Sequence, residues 1–441
     1  MAKILPFRGI VYNQAKAGGI DDLVCPPYDI ISPAAQQELY RKSPYNVVRL
    51  EFGQEAPLDT ARDNRYTRSA QSFHEWLRTG VLRQGETPAL YIYEMEYSAG
   101  GVVKRIRGFI CRVRIEDYDS GIVKPHENTL SGPKADRLSL LRTCGAHFSQ
   151  IYSLFSDPQG KIPGILAKVT GPPEMTVKNS DGVLHRVWTL SDTGDIGAIV
   201  REMADKPFFI ADGHHRYDTA LNYRNERRKA AGTFTGEEPY NFVTMYLARL
   251  EDPALTILPA HRALFDLPGF RPGTFEDDLN KYFDLERSDF DERSEPTARK
   301  RVLDMMASQA ERSHVFGMRL KDRNSYYLLT LRNDADMDAL IPTASSAYRR
   351  LDVSILHHLV IEKLLGIKME THKLGTNIEY IKDADEAVKR LEEGTAEVVF
   401  FMNPTKVSEV RDVAAAGERM PQKATYFYPK LLTGLVMDKI E

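Results

Sequence analysis

The sequence predicts an α+β fold with mixed or antiparallel sheets, and two observations carry that prediction. First, strand-like segments occur mostly as neighbouring pairs around short turns, which is typical of β-hairpins. The clearest pairs are 89–97 with 102–115, and 175–178 with 183–189 around an Asp-Gly turn. Second, the sequence contains no glycine-rich fingerprint of the P-loop or dinucleotide-binding type, which disfavours a doubly wound parallel sheet.

The elements follow from local signals along the chain. Ser32 before Pro33 is typical of an N-cap with proline at the first helical position, and it predicts a helix to about residue 42. The apolar run 47–52 predicts a strand, and Gly80 ends a helix expected over 59–78. The other expected elements are strands at 150–155, 208–211, 242–250 and 397–401, helices at 136–144, 192–205, 214–231, 352–365 and 384–393, and a hairpin at 314–320 and 326–332.

Composition limits the class of protein. The 441 residues include 59 Lys and Arg and 62 Asp and Glu, so the formal net charge is −3. A dedicated duplex-DNA binder normally carries a basic excess, so this balance argues against nucleic acid as a partner. At about 150 residues per domain, we expect an N-terminal α/β segment at 1–104, a core at 105–234 and a C-terminal α+β region at 235–441.

Cysteine usage and hydropathy indicate the expected location. Cys25, Cys111 and Cys144 share no metal-ligand spacing and are too few for a disulfide framework. A reducing cytoplasm is therefore the expected compartment. No stretch approaches 18 uninterrupted apolar residues, so no membrane-spanning helix is expected. The first eight residues lack the apolar core of a signal peptide.

The most informative motif is the run from Asp212 to Arg216, which follows an apolar strand and opens a helix. A helix start presents free backbone N–H groups that attract phosphate, and Arg216 can bind phosphate oxygens bidentately. Asp212 can hold Mg²⁺ or a hydroxyl group. Gly213, His214 and His215 complete the predicted phosphate site. The alternative is a capped helix with two interior histidines.

A second motif crowds charged and polar side chains into residues 124–137. Such a loop can present Glu127 as a general base beside His126, with Lys134 and Arg137 as anion clamps. The alternative is a solvated polar loop that caps the following helix.

Two further pairs can add to a pocket. Tyr28 and Asp29 follow two prolines that stiffen the backbone, and His261 with Arg262 follow an apolar segment. A rigid structural turn explains the first pair equally well, and a surface position explains the second.

The ordered motifs of the whole chain resemble the family labelled domain of unknown function 1015. The motifs that carry this resemblance are Pro26–Ile31, Pro125–Glu127, Lys134–Arg137, Ala211–Arg216, Pro259–Arg262 and Pro421–Lys430. The family label itself implies no activity.

The central residues, about 105–230, are also similar to the ParB/sulfiredoxin-like fold, and most of all to its free serine kinases. That resemblance implies Glu127 as the base acting on the serine hydroxyl. It implies Asp212, His214, His215 and Arg216 as contacts to nucleotide phosphates and Mg²⁺. The two motifs lie about 85 positions apart here, farther than in those kinases, and residues after 235 have no counterpart in them.

Together the motifs predict a phosphotransferase that moves phosphate from ADP or ATP, with Mg²⁺, to a small hydroxyl compound such as free L-serine. One alternative is a non-catalytic nucleotide-binding regulator of the ParB-like type. Another is a metal-dependent hydrolase using His214, His215 and Asp212. The region after residue 235 is expected to form a lid or a dimer surface, which leaves a homodimer open.

Overall fold

The β-strands of the computed structural model lie within its described residues, which are 1–129, 131–367 and 377–441. In chain order they are β1 (Ile4–Leu5), β2 (Ile10–Tyr12), β3 (Leu82–Gln84), β4 (Leu90–Ala99), β5 (Val102–Arg114), β6 (Val123–Lys124), β7 (Ala146–His147), β8 (Ile151–Phe155), β9 (Met175–Lys178), β10 (Leu184–Leu190), β11 (Phe208–Asp212), β12 (Phe242–Arg249), β13 (Thr256–Leu258), β14 (His261–Leu264), β15 (Phe283–Asp289), β16 (Val315–Leu320), β17 (Ser325–Leu331), β18 (Ile378–Ile381), β19 (Val398–Phe401), β20 (Tyr426–Tyr428) and β21 (Asp438–Lys439).

The α-helices of the same residues are α1 (Gln14–Ala17), α2 (Pro33–Lys42), α3 (Val48–Glu51), α4 (Arg65–Thr79), α5 (Ser131–Cys144), α6 (Lys161–Leu166), α7 (Thr193–Met203), α8 (His214–Ala231), α9 (Pro272–Leu279), α10 (Glu295–Gln309), α11 (Ala335–Leu340), α12 (Ser346–Arg349), α13 (Asp352–Ser354), α14 (Ala384–Glu392) and α15 (Val407–Ala415). A π-helical segment, Ile355–Leu364, continues α13. Short 3₁₀ turns lie at Ile20–Asp22, Tyr28–Ile30, Tyr118–Ser120 and Pro239–Asn241. Among the helices described, none is long and apolar enough to cross a membrane.

The described chain divides into two units. The first contains residues 1–125, 129–256 and 429–441, and the second contains 126–128 and 257–428. The three-part division at 104/105 and 234/235 stays a prediction.

The first unit is built on a nine-stranded sheet. Its order is β6-β11-β8-β12-β5-β4-β10-β9, with β1 beside β5. The pairs β6/β11 and β8/β12 are parallel, and the other pairs are antiparallel. Apolar side chains from β4, β5, β8, β11 and β12 form its core together with α6, α7 and α8. The sheet therefore anchors β11, the strand that ends in the Asp-Gly motif.

The second unit contains a six-stranded antiparallel sheet in the order β15-β17-β16-β19-β14-β18. A separate core forms where α10 and α14 cover this sheet, with Val302, Val388 and Phe401 among its buried members. Helices and strands are thus mixed in both units, and most strand pairs of the two large sheets are antiparallel, so the predicted α+β class is confirmed. The ParB/sulfiredoxin-like description of the core stays a prediction.

Both hairpins singled out in the sequence are present as β4/β5 and β9/β10. Ser32 caps α2 by accepting from the N–H of Ala35 at 3.2 Å, as its position before proline predicts. Gly80 ends α4 in the left-handed conformation, at φ 76°. These predictions hold because turn and cap signals are local.

Two predictions of secondary structure are wrong. The segment 47–52 is not a strand but contains the single-turn helix α3. The reason is Asn46, whose Oδ1 accepts from the N–H of Val48 at 2.9 Å and starts the turn. The helix expected from residue 59 begins only at Arg65, because Asn64 forms a capping box with Thr67.

Candidate functional site

The turn after β11 is shaped by a β-bulge and a left-handed glycine. Ile210 pairs with Ser153 and Asp212 with Tyr152, so the strand carries one extra residue just before its end. Such bulges redirect the side chains that follow them. Gly213 has φ +96°, and a Cβ there would lie 3.0 Å from the Arg216 guanidinium. Only glycine therefore fits between Asp212 and the start of α8.

The Asp212 carboxylate binds two cations. Its Oδ2 accepts from Nη2 of Arg216 at 2.6 Å, and its Oδ1 accepts from Nζ of Lys430. Arg216 also donates from Nη1 to the carbonyl oxygen of Gln150. The three charged side chains are between 11% and 15% exposed. One carboxylate between two cations leaves a positive balance at the N-terminal end of α8.

The two histidines of the motif lie in the first turn of α8. His214 is buried, whereas His215 is partly exposed. Adjacent residues of a helix point in different directions, which explains this division. Among the described residues, no group of three or more His, Cys, Asp or Glu side chains could hold a metal ion.

A buried polar cluster connects four separate segments of the first unit. Arg137 donates from Nη1 to the carbonyl oxygen of Glu51 at 2.7 Å and lies 3.3 Å from its carboxylate. Its Nε donates to Asp136 at 2.7 Å, and its guanidinium stacks 4.1 Å from the Tyr28 ring. Ser149 donates to Glu51 at 3.0 Å. Arg137 is therefore committed to neighbours of this cluster.

The pKa of Tyr28 depends on the charges of Arg137 and Arg216. Burial raises its pKa, whereas the charges of Arg137 and Arg216 lower it and Asp29 and Glu51 raise it. The structure thus brings Tyr28 and Asp29 into electrostatic reach of the Asp212–Arg216 motif. The role of Tyr28 and Asp29 in a pocket stays a prediction.

Lys134 lies on α5 and faces α8. Its Nζ is 3.7 Å from Asp218, which also accepts from the hydroxyl of Thr129 at 2.5 Å. The hydroxyl of Tyr118 donates to the same carboxylate. These contacts place the end of the charged loop against the second turn of α8.

His126 and Glu127 belong to the second unit. Glu127 accepts from the N–H of Lys423 at 3.1 Å, and Nε2 of His126 lies 2.9 Å from the hydroxyl of Thr425. The carbonyl of His126 accepts from the N–H of Met420 at 2.7 Å. The loop is therefore held by the segment 420–425.

His261 and Arg262 are also in the second unit and are buried, not surface residues. Nδ1 of His261 accepts from the N–H of Met402 at 3.1 Å, and burial with the neighbouring Arg262 lowers the histidine pKa to about 4. Arg262 stacks 5.3 Å from Tyr380 and donates to the carbonyl oxygen of Lys423 at 3.3 Å. Burial lowers the pKa of its guanidinium.

Three residues of the first-unit site were not among the predicted site residues: Glu51, Gln150 and Lys430. Glu51 lies in the segment 47–52, which the sequence predicted as a strand, and that prediction obscured its acidic side chain as a site residue. Lys430 closes a basic and aromatic segment but lies 218 positions from Asp212. No local pattern links residues that far apart.

The chain belongs to the family described as "Protein of unknown function (DUF1015)", whose profile matches residues 4–354. This confirms the family resemblance. No curated protein matches the chain.

Solved structures give distant likenesses. A conserved hypothetical protein from Pyrococcus furiosus is 13% identical, with a TM-score of 0.32, over 73% of this chain and 93% of that one. A free serine kinase variant in complex with ADP is 13% identical, with a TM-score of 0.32, over 71% and 90%. A truncated SbnI from Staphylococcus aureus is 11% identical, with a TM-score of 0.34, over 74% and 85%.

Proposed function

We propose that the chain is a phosphotransferase that moves a phosphoryl group from ADP or ATP to the hydroxyl of a small molecule, with free L-serine as the first candidate. The observation that carries the proposal is the grouping of Asp212, Arg216 and Lys430 at the Gly213 turn. Phosphoryl transfer depends mainly on positioning and on charge neutralisation. Two cations at the N-terminus of an 18-residue helix supply both.

The ion pairs of Asp212 suggest how a nucleotide binds. The Asp212 carboxylate holds Arg216 and Lys430 close together. Phosphate oxygens compete for the same cations and carry more negative charge than one carboxylate. In the proposed complex, Arg216 and Lys430 contact the phosphates and Asp212 is released to a metal ion.

The donor set fits Mg²⁺ that arrives with the nucleotide. Mg²⁺ is typically held by one or two carboxylates together with substrate phosphates and water. Asp212 offers one carboxylate beside the proposed phosphate site, and the described residues offer no larger metal-binding group. When bound, Mg²⁺ would neutralise charge on the phosphates.

We assign the base to Glu127. In the proposed step its carboxylate takes the proton of the substrate hydroxyl, the hydroxyl oxygen bonds to the terminal phosphorus, and the remaining nucleotide leaves. The motif Pro125–Glu127 supports the assignment, because it carries a carboxylate in a polar loop of the kind that can present a general base.

The test incubates the purified chain with Mg²⁺, L-serine and either ADP or ATP, and detects O-phosphoserine by mass spectrometry. Removing a general base typically costs 10²- to 10⁴-fold in rate, so Glu127→Gln should lose turnover by about that factor and keep nucleotide affinity. Asp212→Asn should lose turnover, because it removes the proposed ligand of the metal ion.

Two exposed acids provide matched controls. Glu86→Gln and Asp119→Asn make the same chemical changes at exposed positions of the first unit and should leave the rate unchanged. Wild-type turnover in Glu127→Gln would contradict the assignment of the base. Nucleotide binding without transfer to any hydroxyl compound would replace the proposed enzyme by a nucleotide-binding regulator.

A further inference from the structure

A cavity of about 810 Å³ lies in the second unit, at one edge of its six-stranded sheet. β16 is antiparallel to both β17 and β19, so the start of β16 meets the ends of β17 and β19 at this edge. The segments next to these strand ends supply most of the lining, together with residues of α10, α13 and α15. Ligand-binding cavities typically measure about 300–1,000 Å³. The cavity therefore has the size to bind a small organic molecule.

Most of the charged side chains in the lining belong to ion pairs with permanent charges. These pairs are Lys406 with Glu311 at 3.0 Å, Arg332 with Asp284 at 2.7 Å, and Asp334 with Arg350 at 3.3 Å. Arg312, a further lining residue, is exposed. Two lining carboxylates differ from the others, because among the described residues neither Asp352 nor Glu409 forms an ion pair with a lysine or an arginine.

His314 lies between two of the carboxylates. Its Nδ1 is 2.7 Å from Oδ1 of Asp352, and its Nε2 is 3.9 Å from Oδ1 of Asp334. Burial lowers the pKa of His314, but the hydrogen bond and the charge of Asp352 raise it. The charges of Asp334 and Glu409 also raise it, and the net shift is upward. The cation that pairs with Asp352 is therefore the imidazolium ring, which exists only while His314 keeps its proton.

Glu409 indicates the same excess of negative charge. Its Oε2 accepts from the backbone N–H of Lys406 at 2.8 Å. Burial raises the pKa of Glu409 and the charge of Asp352 adds to that effect, which outweighs the lowering by Lys406 and His314. A charge that is removed from water is normally paired in a folded protein. One cavity thus contains two partly buried carboxylates without a permanent cation.

These charges limit the kind of ligand. An anion would meet Asp352 and Glu409, and a neutral molecule would leave both without a cation. A metal ion needs several ligands that converge on one point, and no group of three or more His, Cys, Asp or Glu among the described residues could hold one. An organic diamine carries two ammonium groups on a flexible chain, so each can reach its own carboxylate. The chain can pack against Leu331 and Leu351, which also line the cavity.

We propose that this cavity binds a small organic diamine, with one ammonium group at Asp352 and the other at Glu409. The ammonium group and the imidazolium ring of His314 compete for Asp352, so binding of the diamine displaces the histidine proton. The cavity shares no residue with the proposed phosphotransferase site, and the inference does not depend on that function.

The experiment measures binding of 1,4-diaminobutane, 1,4-butanediol and succinate to the full-length chain by isothermal titration calorimetry. The three compounds have similar length, and near pH 7 their ends are positive, neutral and negative, respectively. The diamine should bind at least tenfold more tightly than the diol, and succinate should not bind. Tighter binding of succinate than of the diamine would overturn the proposal and assign the cavity to an anion.

Glu409→Gln tests the role of the second carboxylate. The amide oxygen can still accept from the N–H of Lys406, so the variant removes the charge and keeps the contact at the start of α15. It should raise the Kd for the diamine at least tenfold. Glu286→Gln makes the same change at an exposed position of β15 outside the cavity and should leave the Kd unchanged. Equal Kd values for the two variants would overturn the proposal.

Displacement of the histidine proton gives an independent readout. Between about pH 6 and about pH 8 an alkylammonium group stays charged, as do lysine and arginine, whereas a histidine with a raised pKa loses its proton. The Kd of the wild type for the diamine should therefore fall as the pH rises. His314→Gln keeps a donor beside Asp352 and removes the titrating group, so it should lose most of this dependence. The same pH dependence in His314→Gln as in the wild type would contradict the proposed competition.

Discussion

The charge balance at Asp212 decides what the turn after β11 can bind. One carboxylate lies between the cations of Arg216 and Lys430, so the group carries a net charge of about +1. The N-terminus of α8 adds a partial positive charge of about half a unit. All three side chains are largely buried, which limits screening by salt. This charge is what the proposed function uses to bind an anionic ligand.

At Gly213 the backbone conformation of the turn is linked directly to the position of the Arg216 side chain. Alanine at φ +96° costs about 1–2 kcal/mol of backbone strain, and its Cβ would lie 3.0 Å from the Arg216 guanidinium. We expect Gly213→Ala to lower the free energy of unfolding by at least that amount and to weaken ADP binding about tenfold or more. Urea unfolding and calorimetry measure the two effects.

Gly182 provides a control that separates the effect of backbone strain from the effect of displacing Arg216. It has φ +78° in the β9/β10 turn, and a Cβ there would meet nothing within 4 Å. Gly182→Ala should therefore lose a similar amount of stability and keep wild-type affinity for ADP. Loss of ADP affinity in both variants would mean that general destabilisation, and not the displacement of Arg216, explains the result.

Proximity of single residues can be derived from the sequence where they are few positions apart. Asp212 and Arg216 are four positions apart on adjoining elements, and their pairing follows from the strand, the glycine and the helix start. Arg137 shows the limit, because the sequence cannot tell that Glu51 and Asp136 occupy its guanidinium. Its predicted role as an anion clamp stays a prediction. Lys430 reaches Asp212 only through the folded chain.

At the scale of elements, α3 shows why the sequence predicts a strand for the segment 47–52 where the structure has a helix. Val47, Val48 and Leu50 are buried on all sides, so the segment shows no helical period. Asn46 decides the conformation, since its amide nitrogen donates to the carbonyl of Asp22 at 2.7 Å and its Oδ1 accepts from Val48. This capping contact depends on tertiary structure, which periodicity alone does not report.

Substitution of Asn46 should therefore lower the free energy of unfolding more than substitution of an exposed N-cap residue. Asn46→Ala leaves buried backbone groups without partners, at about 1–3 kcal/mol for each group, and it loosens the helix that carries Glu51. We expect the free energy of unfolding to fall by about 2–4 kcal/mol. Asn64→Ala removes a more exposed N-cap of α4 and should cost about 1 kcal/mol. Equal losses in urea unfolding would contradict this ranking.

At the scale of the whole molecule, the chain returns to its first unit at the end. Residues 429–441 belong to that unit, β21 pairs with β7, and Asp438 forms a bidentate ion pair with Arg112 at 2.7 Å. Composition shifts along the sequence cannot reveal a unit assembled from separated segments. The hairpins and caps were predictable because their signals are local, whereas the division into units depends on contacts between distant segments.

Buried histidines in both units make stability depend on pH. Burial lowers the pKa of His185 to about 3 and that of His147 to about 4, and burial with the charge of Arg262 lowers that of His261 to about 4. In the unfolded chain each titrates near pH 6.5. Below that pH the unfolded chain binds protons that the native chain does not, so the free energy of unfolding falls as the pH decreases towards about 4. Burial raises the pKa of Asp438, which acts in the opposite direction.

His185 provides the test of this pH dependence, because it is 1% exposed and its Nδ1 lies 2.8 Å from the hydroxyl of Tyr93. At about pH 4.5, two pKa units below the unfolded value, its protonation in the unfolded chain costs the wild type roughly 2–3 kcal/mol of stability. His185→Gln should remove that part of the loss between about pH 7 and about pH 4.5 in urea unfolding, whereas the exposed control His74→Gln should keep all of it. If His185→Gln loses as much stability as the wild type over this range, the neutral buried imidazole is not what makes the fold sensitive to acid.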